Sequence, residues 1–377
     1  MDETITPSDL ADLIAGGERV GVVDVRDRDE FERWRVEGPG VEVEHVPHAR
    51  FLQAQVRGGA EDLVDLPEPV VAVCGRGEAS GHAADLLRAA GVEAANLEGG
   101  TDAWARLYRA RELETPDGAT VVQYHRPATG CLGYLVVDGD DALVVDPLRA
   151  FADRYGADAA ARGATLRRAV DTHVHADHVS GVRTLSDGDV TAVVPETARD
   201  RGLAFDAETL ADGDEVAVGE TTVRAVAAPG HTTEMTALLV ERGGPGTLLS
   251  GDSLFLESVA RPDLESGVDP ERAAATLHES VHERLLALPG ETLLAPGHVG
   301  PTVRPRADGT YAEPLADVAE AVPLLALDRE AFVERVTASL PPRPANAGRI
   351  VAANLGREDP DEDLLTLEVG PNNCAAT

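Results

Sequence analysis

One stretch limits what this chain can become: DTHVHADHVSG, Asp171 to Gly181, sets three histidines and an aspartate within six residues as His173-x-His175-x-Asp177-His178. The run LRRAV ahead of it predicts a strand ending at Asp171, and the turn after it opens a helix, so the imidazoles are expected at the C-terminal edge of a sheet. Three further candidates follow strand-like runs in the same way: His231 in APGHT, Asp252 in SGDSLF and His298 in APGHVG. A solvated polar loop would account for the cluster alone, but not for matching side chains at three later strand ends. Neutral imidazole and carboxylate bind first-row metals, and ligands close together on a short loop are partly ordered before an ion arrives. The cluster therefore predicts a metal site. A lone histidine is more often structural, and His45, His48, His82, His125, His278 and His282 are read that way.

Composition narrows the setting. The 377 residues exceed one ordinary core, and domains of about 150 residues suggest two. All 33 basic residues are arginine, against 67 acids, for a net charge of -34. Such self-repulsion weakens a compact state in dilute buffer, whereas molar salt shortens the Debye length to about 3 Å. A halophilic protein is expected. The acidity argues against nucleic acid as a partner. No apolar run approaches the roughly 18 residues that span a bilayer, and MDETITPSDL has neither a basic leader nor a hydrophobic region, so a cytoplasmic protein without membrane contact is expected. Three scattered cysteines, Cys74, Cys131 and Cys374, make no disulfide framework.

Residues 1–112 alternate short apolar runs (VGVVDVR, PVVAVC, AANL) with helical patterns, among them SDLADLIAGG with Ser8 as its cap, and predict an α/β unit with a parallel sheet and helices on both faces. A charged segment, 113–118, is the expected linker. From Ala119 to residue 345 the strands arrive as hairpins (TVVQYH, CLGYLVVDG, DALVVDP) and then alternate with helices, as in packed sheets covered by helices. Residues 346–377 are expected to pack on that unit as a tail.

On these motifs the second unit resembles the metallo-β-lactamase fold, an αββα sandwich marked by HxHxDH, a GH, a GD and a last GH; the resemblance covers about residues 119–345. It implies two branches. In a glyoxalase II-like hydrolase, His173, His175 and His231 hold one zinc, Asp177, His178 and His298 a second, and Asp252 bridges both to activate water on a thioester. In the persulfide dioxygenase branch, His173, His231 and Asp252 hold one Fe(II) per chain, where a small thiol persulfide and O2 react to sulfite and thiol, while His175, Asp177, His178 and His298 stand behind them. The segment ARPDL (260–264), the helix TLHESVHERLLALPG and the late stretch LPPRPANAGRIVAANLG resemble the second branch, which is preferred. Arg261 then either holds a substrate carboxylate or braces its loop through Asp263. The tyrosine common soon after the last motif histidine in glutathione-persulfide enzymes is replaced by Val299-Gly300, which leaves the thiol open. A metal-stabilised binding module is the third reading, and a homodimer is allowed.

In VVAVCGRGEASGHAADLL a buried strand runs into Cys74, and a glycine-containing loop returns to a helix that Ser80 opens. Backbone N–H groups of such a loop (Gly75, Arg76, Gly77) can cradle an anion and lower a thiol pKa. With VVDVRDRDEF before it and LEGGTDAW after it, the first unit resembles a rhodanese whose active cysteine falls at Cys74 and whose ligands are thiosulfate or sulfite. Glu78 stands where active members often carry a basic residue, so a packing role for Cys74 stays open beside sulfane-sulfur carriage. Cys131, in an apolar strand, is read as packing and Cys374 as incidental.

Overall fold

The β-branched runs of the first hundred residues form an all-parallel sheet. In this computed structural model, which describes residues 2–340, 342–360, 363–370 and 374–376, its strands are β1 (Thr4–Ile5), β2 (Val20–Asp24), β3 (Val41–His45), β4 (Val70–Val73) and β5 (Ala94–Leu97), ordered β1-β5-β4-β2-β3. Successive side chains alternate between faces, and both faces are covered. Helices α1 (Pro7–Ala15) and α5 (Gly100–Ala105) pack on Val20, Val22, Val71 and Val73. Helices α3 (His48–Arg57) and α4 (Glu78–Ala89) pack on Val23, Val70 and Ala72. A short α2 (Arg28–Arg33) follows β2. The cap of α1 is Thr6 rather than Ser8: Pro7 fits the first helical position, and Thr6 Oγ1 accepts Asp9 N–H at 3.1 Å.

The next strand, β6 (Arg109–Leu113), pairs antiparallel with β7 (Thr120–Arg126). Residues 109–113, placed by sequence in the first unit and its linker, thus form the outer strand of a seven-stranded sheet, because the 114–119 segment closes a hairpin. That sheet continues with β8 (Cys131–Asp138), β9 (Asp141–Val145), β10 (Thr165–Val170), β11 (Thr191–Pro195) and β12 (Glu208–Leu210). A six-stranded sheet follows: β13 (Glu215–Val218), β14 (Thr221–Ala227), β15 (Thr236–Glu241), β16 (Thr247–Gly251), β17 (Leu293–Pro296) and β18 (Glu313–Pro314).

Val121, Tyr134 and Val136 of one sheet meet Val223, Leu238 and Leu249 of the other in a shared core. Helices α6 (Ala152–Ala160) and α7 (Val182–Leu185) cover the outer face of the larger sheet through Tyr155, Ala159 and Val182. Helices α8 (Pro270–Ser280), α9 (Leu315–Ala321) and α10 (Arg329–Ala338) cover the other through Leu277, Val318 and Phe332. The result is an αββα sandwich. Helices α11 (Ala347–Asn354) and α12 (Leu364–Glu368) complete the order. Within the tail, Asn354, Glu368 and Cys374 are all buried. Among the described residues, no helix is long and apolar enough to cross a membrane.

Candidate metal centre and cysteine loop

The four motifs meet because each follows a strand end on the same side of the sandwich: Asp171–His178 after β10, His231 after β14, Asp252 after β16 and His298 after β17. Two glycines permit the close approach. A side chain at Gly297 would place Cβ 2.6 Å from Asp252 Oδ1, and Gly251, at φ +49°, would meet Thr172 Oγ1 at 2.7 Å.

His173, His231 and Asp252 converge. Asp252 Oδ2 lies 3.8 Å from His173 Nε2 and 3.7 Å from His231 Nε2. The three donor atoms all lie within 4.8 Å of one another, so small ring rotations bring them onto one ion, whose ligands at about 2.1 Å are at most about 4.2 Å apart. They are also prepared for one. His173 Nδ1 meets Thr172 Oγ1 at 3.0 Å and His231 Nδ1 meets the Arg261 carbonyl at 2.9 Å, which turns both Nε2 atoms inward. His173 Nε2 and Asp252 Oδ2 are buried without a hydrogen-bond partner, the condition of ligand atoms whose partner is an ion. Burial holds both imidazoles below the ordinary histidine range, with the neighbouring His175 adding to the effect at His173, so both stay neutral.

The other oxygen of Asp252 is already engaged. His298 Nδ1 lies 2.6 Å from Oδ1, and His298 Nε2 lies 3.0 Å from Asp177 Oδ2. Burial alone would raise the Asp252 carboxyl, but the adjacent His298 holds it well below the usual range, and Asp252 in turn lifts His298 against the effect of burial. Asp177 also accepts from His178 Nδ1 at 3.1 Å, leaving His178 Nε2 without a partner. Cys131 Sγ joins this group at 3.3 Å from Asp177 Oδ2, and the donor atoms of Cys131, Asp177, His178 and His298 all lie within 4.8 Å of one another. Cys374 stands within the same reach of Asp252 and His298. The packing and incidental readings of Cys131 and Cys374 are therefore corrected: both thiols face the centre.

His175 sits between the two groups, its ring 4.1 Å from those of His173 and His178. Its Nε2 is tied to Asp146 Oδ1 at 3.1 Å. Asp146, at φ +49°, also accepts Thr172 N–H and the Thr172 hydroxyl, so a strained backbone position supports the loop that carries His173. Arg261 is buried with its guanidinium forked on Asp263 at 2.7 and 3.0 Å and on the Pro342 carbonyl at 3.0 Å. The bracing alternative accounts for these contacts.

Sequence reading misses the residues that hold the histidine loop. Asn354 accepts Ser180 N–H at 2.8 Å and donates to the carbonyls of His175 and His178 at 2.9 Å each. Glu368 accepts Val179 N–H at 2.9 Å and pairs with the buried Arg126 at 2.6 Å. Arg126 Nε donates to the Ala105 carbonyl at 3.0 Å, which links the clamp to the first unit. The resemblance of the LPPRPANAGRIVAANLG stretch offered the one signal for Asn354.

Cys74 directly follows β4 in the turn that leads to α4. Its sulfur accepts Gly77 N–H at 3.2 Å, Ser80 N–H at 3.4 Å and the Ser80 hydroxyl at 3.2 Å. Burial raises the thiol pKa, but the Ser80 hydroxyl and the N–H groups of Ser80, Gly77 and Arg76 outweigh it, and the net shift is downward. The helix begins at Glu78, with Gly77 at φ +90° ahead of it. Arg76 and Glu78 are exposed at the loop rim.

With this geometry in place, relatives can be weighed. Family models described as rhodanese-like domain and metallo-beta-lactamase superfamily match residues 6–107 and 126–298. A probable metallo-hydrolase of Burkholderia pseudomallei is 33% identical over 46% of this chain and 70% of its own length. The chain belongs to the metallo-beta-lactamase superfamily. Within the superfamily it is 29% identical to the mitochondrial persulfide dioxygenase ETHE1 of Bos taurus, over 66% of this chain and 92% of that protein. The crystal structure of ETHE1 from Myxococcus xanthus superposes with a TM-score of 0.54 and 28% identity, over 63% of this chain and 98% of that one. These likenesses support the persulfide dioxygenase branch, behind a rhodanese-like domain.

Proposed function

We propose that the chain oxidises a small thiol persulfide with O2, R–S–SH + O2 + H2O giving R–SH, sulfite and two protons, at a single Fe(II) held by His173, His231 and Asp252. The observation that carries this is the unequal use of Asp252: Oδ2 faces both imidazoles, while Oδ1 is held by His298 at 2.6 Å. In this reading Oδ2 would bind the ion as a terminal ligand while Oδ1 stays on His298. Iron held there would supply the redox capacity that zinc lacks.

The protein's own groups prepare the site. Thr172 and the Arg261 carbonyl fix the two Nε2 atoms, and Asn354 holds the loop between His175 and Ser180. His298 holds Asp252 by one oxygen and Asp177 holds His298, so the carboxylate cannot swing freely. Burial of every one of these side chains keeps bulk water from the reacting sulfur. Cys74 carries sulfane sulfur, either towards the second domain or onto released sulfite, in which case a Cys74 persulfide and sulfite give the thiolate and thiosulfate.

Protein purified without oxygen is expected to contain iron, and to consume O2 and release sulfite from a thiol persulfide. Thioester hydrolysis by a two-zinc form would overturn the proposal. That second reading has its own support, since Cys131, Asp177, His178 and His298 form a second donor group. Cys74→Ser separates the two directions of sulfur flow: loss of thiosulfate with unchanged O2 uptake indicates transfer to sulfite, and slowed O2 uptake indicates delivery.

A further inference from the structure

Strand β5 carries one polar residue among apolar ones. Ala95 and Leu97 pack on the α1 and α5 side of the first sheet and Ala94 on the α3 and α4 side, so alternation sends Asn96 to the α4 side as well. There it reaches the start of α4: Ser80 Oγ lies 2.7 Å from Asn96 Oδ1. A side chain at the adjacent Gly81 would bring its Cβ to 3.5 Å from Asn96 Nδ2, so the amide lies along the first turns of the helix with its oxygen towards Ser80.

The same Ser80 oxygen lies 3.2 Å from Cys74 Sγ. A hydroxyl has one proton, and here two acceptors compete for it. Asn96 Oδ1 can only accept, so a separation of 2.7 Å places the Ser80 proton on the line to Asn96 while Cys74 is a neutral thiol. The thiol then donates to the Ser80 oxygen, and the three groups form one relay from Cys74 S–H through Ser80 O–H to the Asn96 carbonyl. An ionised sulfur has no proton to give. The Ser80 proton turns to it, and Asn96 loses its donor. The N–H groups of Gly77 and Ser80, at 3.2 and 3.4 Å from the sulfur, are fixed by the backbone and cannot exchange partners in this way.

Charged groups around the loop are committed elsewhere. Asp24 and Arg26 are forked on each other, His48 Nε2 of α3 lies 3.0 Å from His82 Nδ1 of α4, and Arg76, Glu78, Glu98 and Asp102 are exposed. Burial and hydrogen bonds lead the influences on the thiol.

We propose that Asn96 is a positioning residue for Cys74, which holds the Ser80 proton away from the sulfur until that sulfur becomes anionic. Its use rests on the reading of Cys74 as a sulfur carrier. When sulfite attacks the outer sulfur of a Cys74 persulfide anion, the S–S bond breaks, its electron pair stays on Cys74 Sγ, and thiosulfate and the Cys74 thiolate result. Ser80 then turns its proton from Asn96 to the new thiolate, so the loop stabilises the charge as it forms.

The test follows iodoacetamide alkylation of the full chain against pH, with the Cys74 peptide quantified by mass spectrometry so that Cys131 and Cys374 do not enter. Asn96→Ala frees the hydroxyl and is expected to lower the midpoint of the profile by about 0.5 or more. Asn96→Asp supplies a stronger acceptor and a negative charge, and is expected to raise the midpoint by at least as much. In a Ser80→Ala background, Asn96→Ala should leave the midpoint where it is, because the contested proton is gone. A midpoint that stays or rises in Asn96→Ala, or a shift of the same size with and without Ser80, would overturn the assignment. If Cys74→Ser leaves thiosulfate formation and O2 uptake unchanged while the Asn96 shifts appear, the carrier reading has failed and the assignment of Asn96 stands.

Discussion

Asn354 offers the sharpest perturbation, because one amide serves three backbone groups of the histidine loop: Ser180 N–H, His175 C=O and His178 C=O, at 2.8, 2.9 and 2.9 Å. Asn354→Ala strands all three in a buried region. At about 1–3 kcal/mol for each unsatisfied buried group, the expected loss of stability is roughly 3–9 kcal/mol, and entry of one water into the vacated volume brings it towards the lower end. Alanine is the better helix former by about 0.5 kcal/mol, so helix α11 itself offsets little of this. The released loop carries His173, and loss of outer supports of this kind typically weakens metal affinity about 10–100-fold. Urea unfolding measures the first quantity, and competition with a chromophoric chelator measures the second. Asn354→Asp keeps the acceptor for Ser180 but turns an anion towards two carbonyl oxygens, and it should bind metal at least as weakly as the Ala variant. Chelator competition within threefold of the wild type in both variants would refute the clamp.

Other outcomes follow from the same contacts. The lowered thiol pKa of Cys74 means that the thiolate is present at lower pH than for an ordinary thiol, so the pH profile of iodoacetamide alkylation should lie below that of a free cysteine; Ser80→Ala, which removes the side-chain contact that lowers the thiol most, should move the profile to higher pH. Glu368→Gln breaks a fully buried pair with Arg126 and should cost about 3–5 kcal/mol in urea unfolding, with no gain at high salt. Salt should stabilise the whole chain instead: with a net charge of -34, the unfolding midpoint is expected to rise with NaCl into the molar range, and a flat profile would contradict the halophilic expectation. Chelation should abolish turnover while leaving far-UV circular dichroism largely intact, because the core shared by the two sheets contains no residue of the metal loop.

Legibility from sequence differs sharply among the site residues. The histidines and Asp252 could be read because a metal centre at sheet edges needs its ligands directly after strands, and strand ends are visible in apolar runs. The parallel first sheet was visible for the same reason, in runs such as VVAV that are buried on both faces. Cys131 was not, since β8 is buried at nearly every position and alternation gives no cue to which face a residue takes. Asn354 and Glu368 reach the histidine loop across about 180 residues of chain, and no local pattern announces a hydrogen bond of that span. Residues 109–113 misled for a related reason: an edge strand with exposed Arg111 and Glu112 reads as the end of the first unit until its partner is known. The alternatives for Arg261 could not be separated without seeing Asp263 and the Pro342 carbonyl around its guanidinium.

Anomalous diffraction at the iron edge, from crystals grown without oxygen, tests the central claim most directly. One iron peak bonded to His173 Nε2, His231 Nε2 and Asp252 Oδ2, with Oδ1 still on His298, is the predicted result. Two metal peaks bridged by Asp252, with His298 turned away to bind the second, would contradict it.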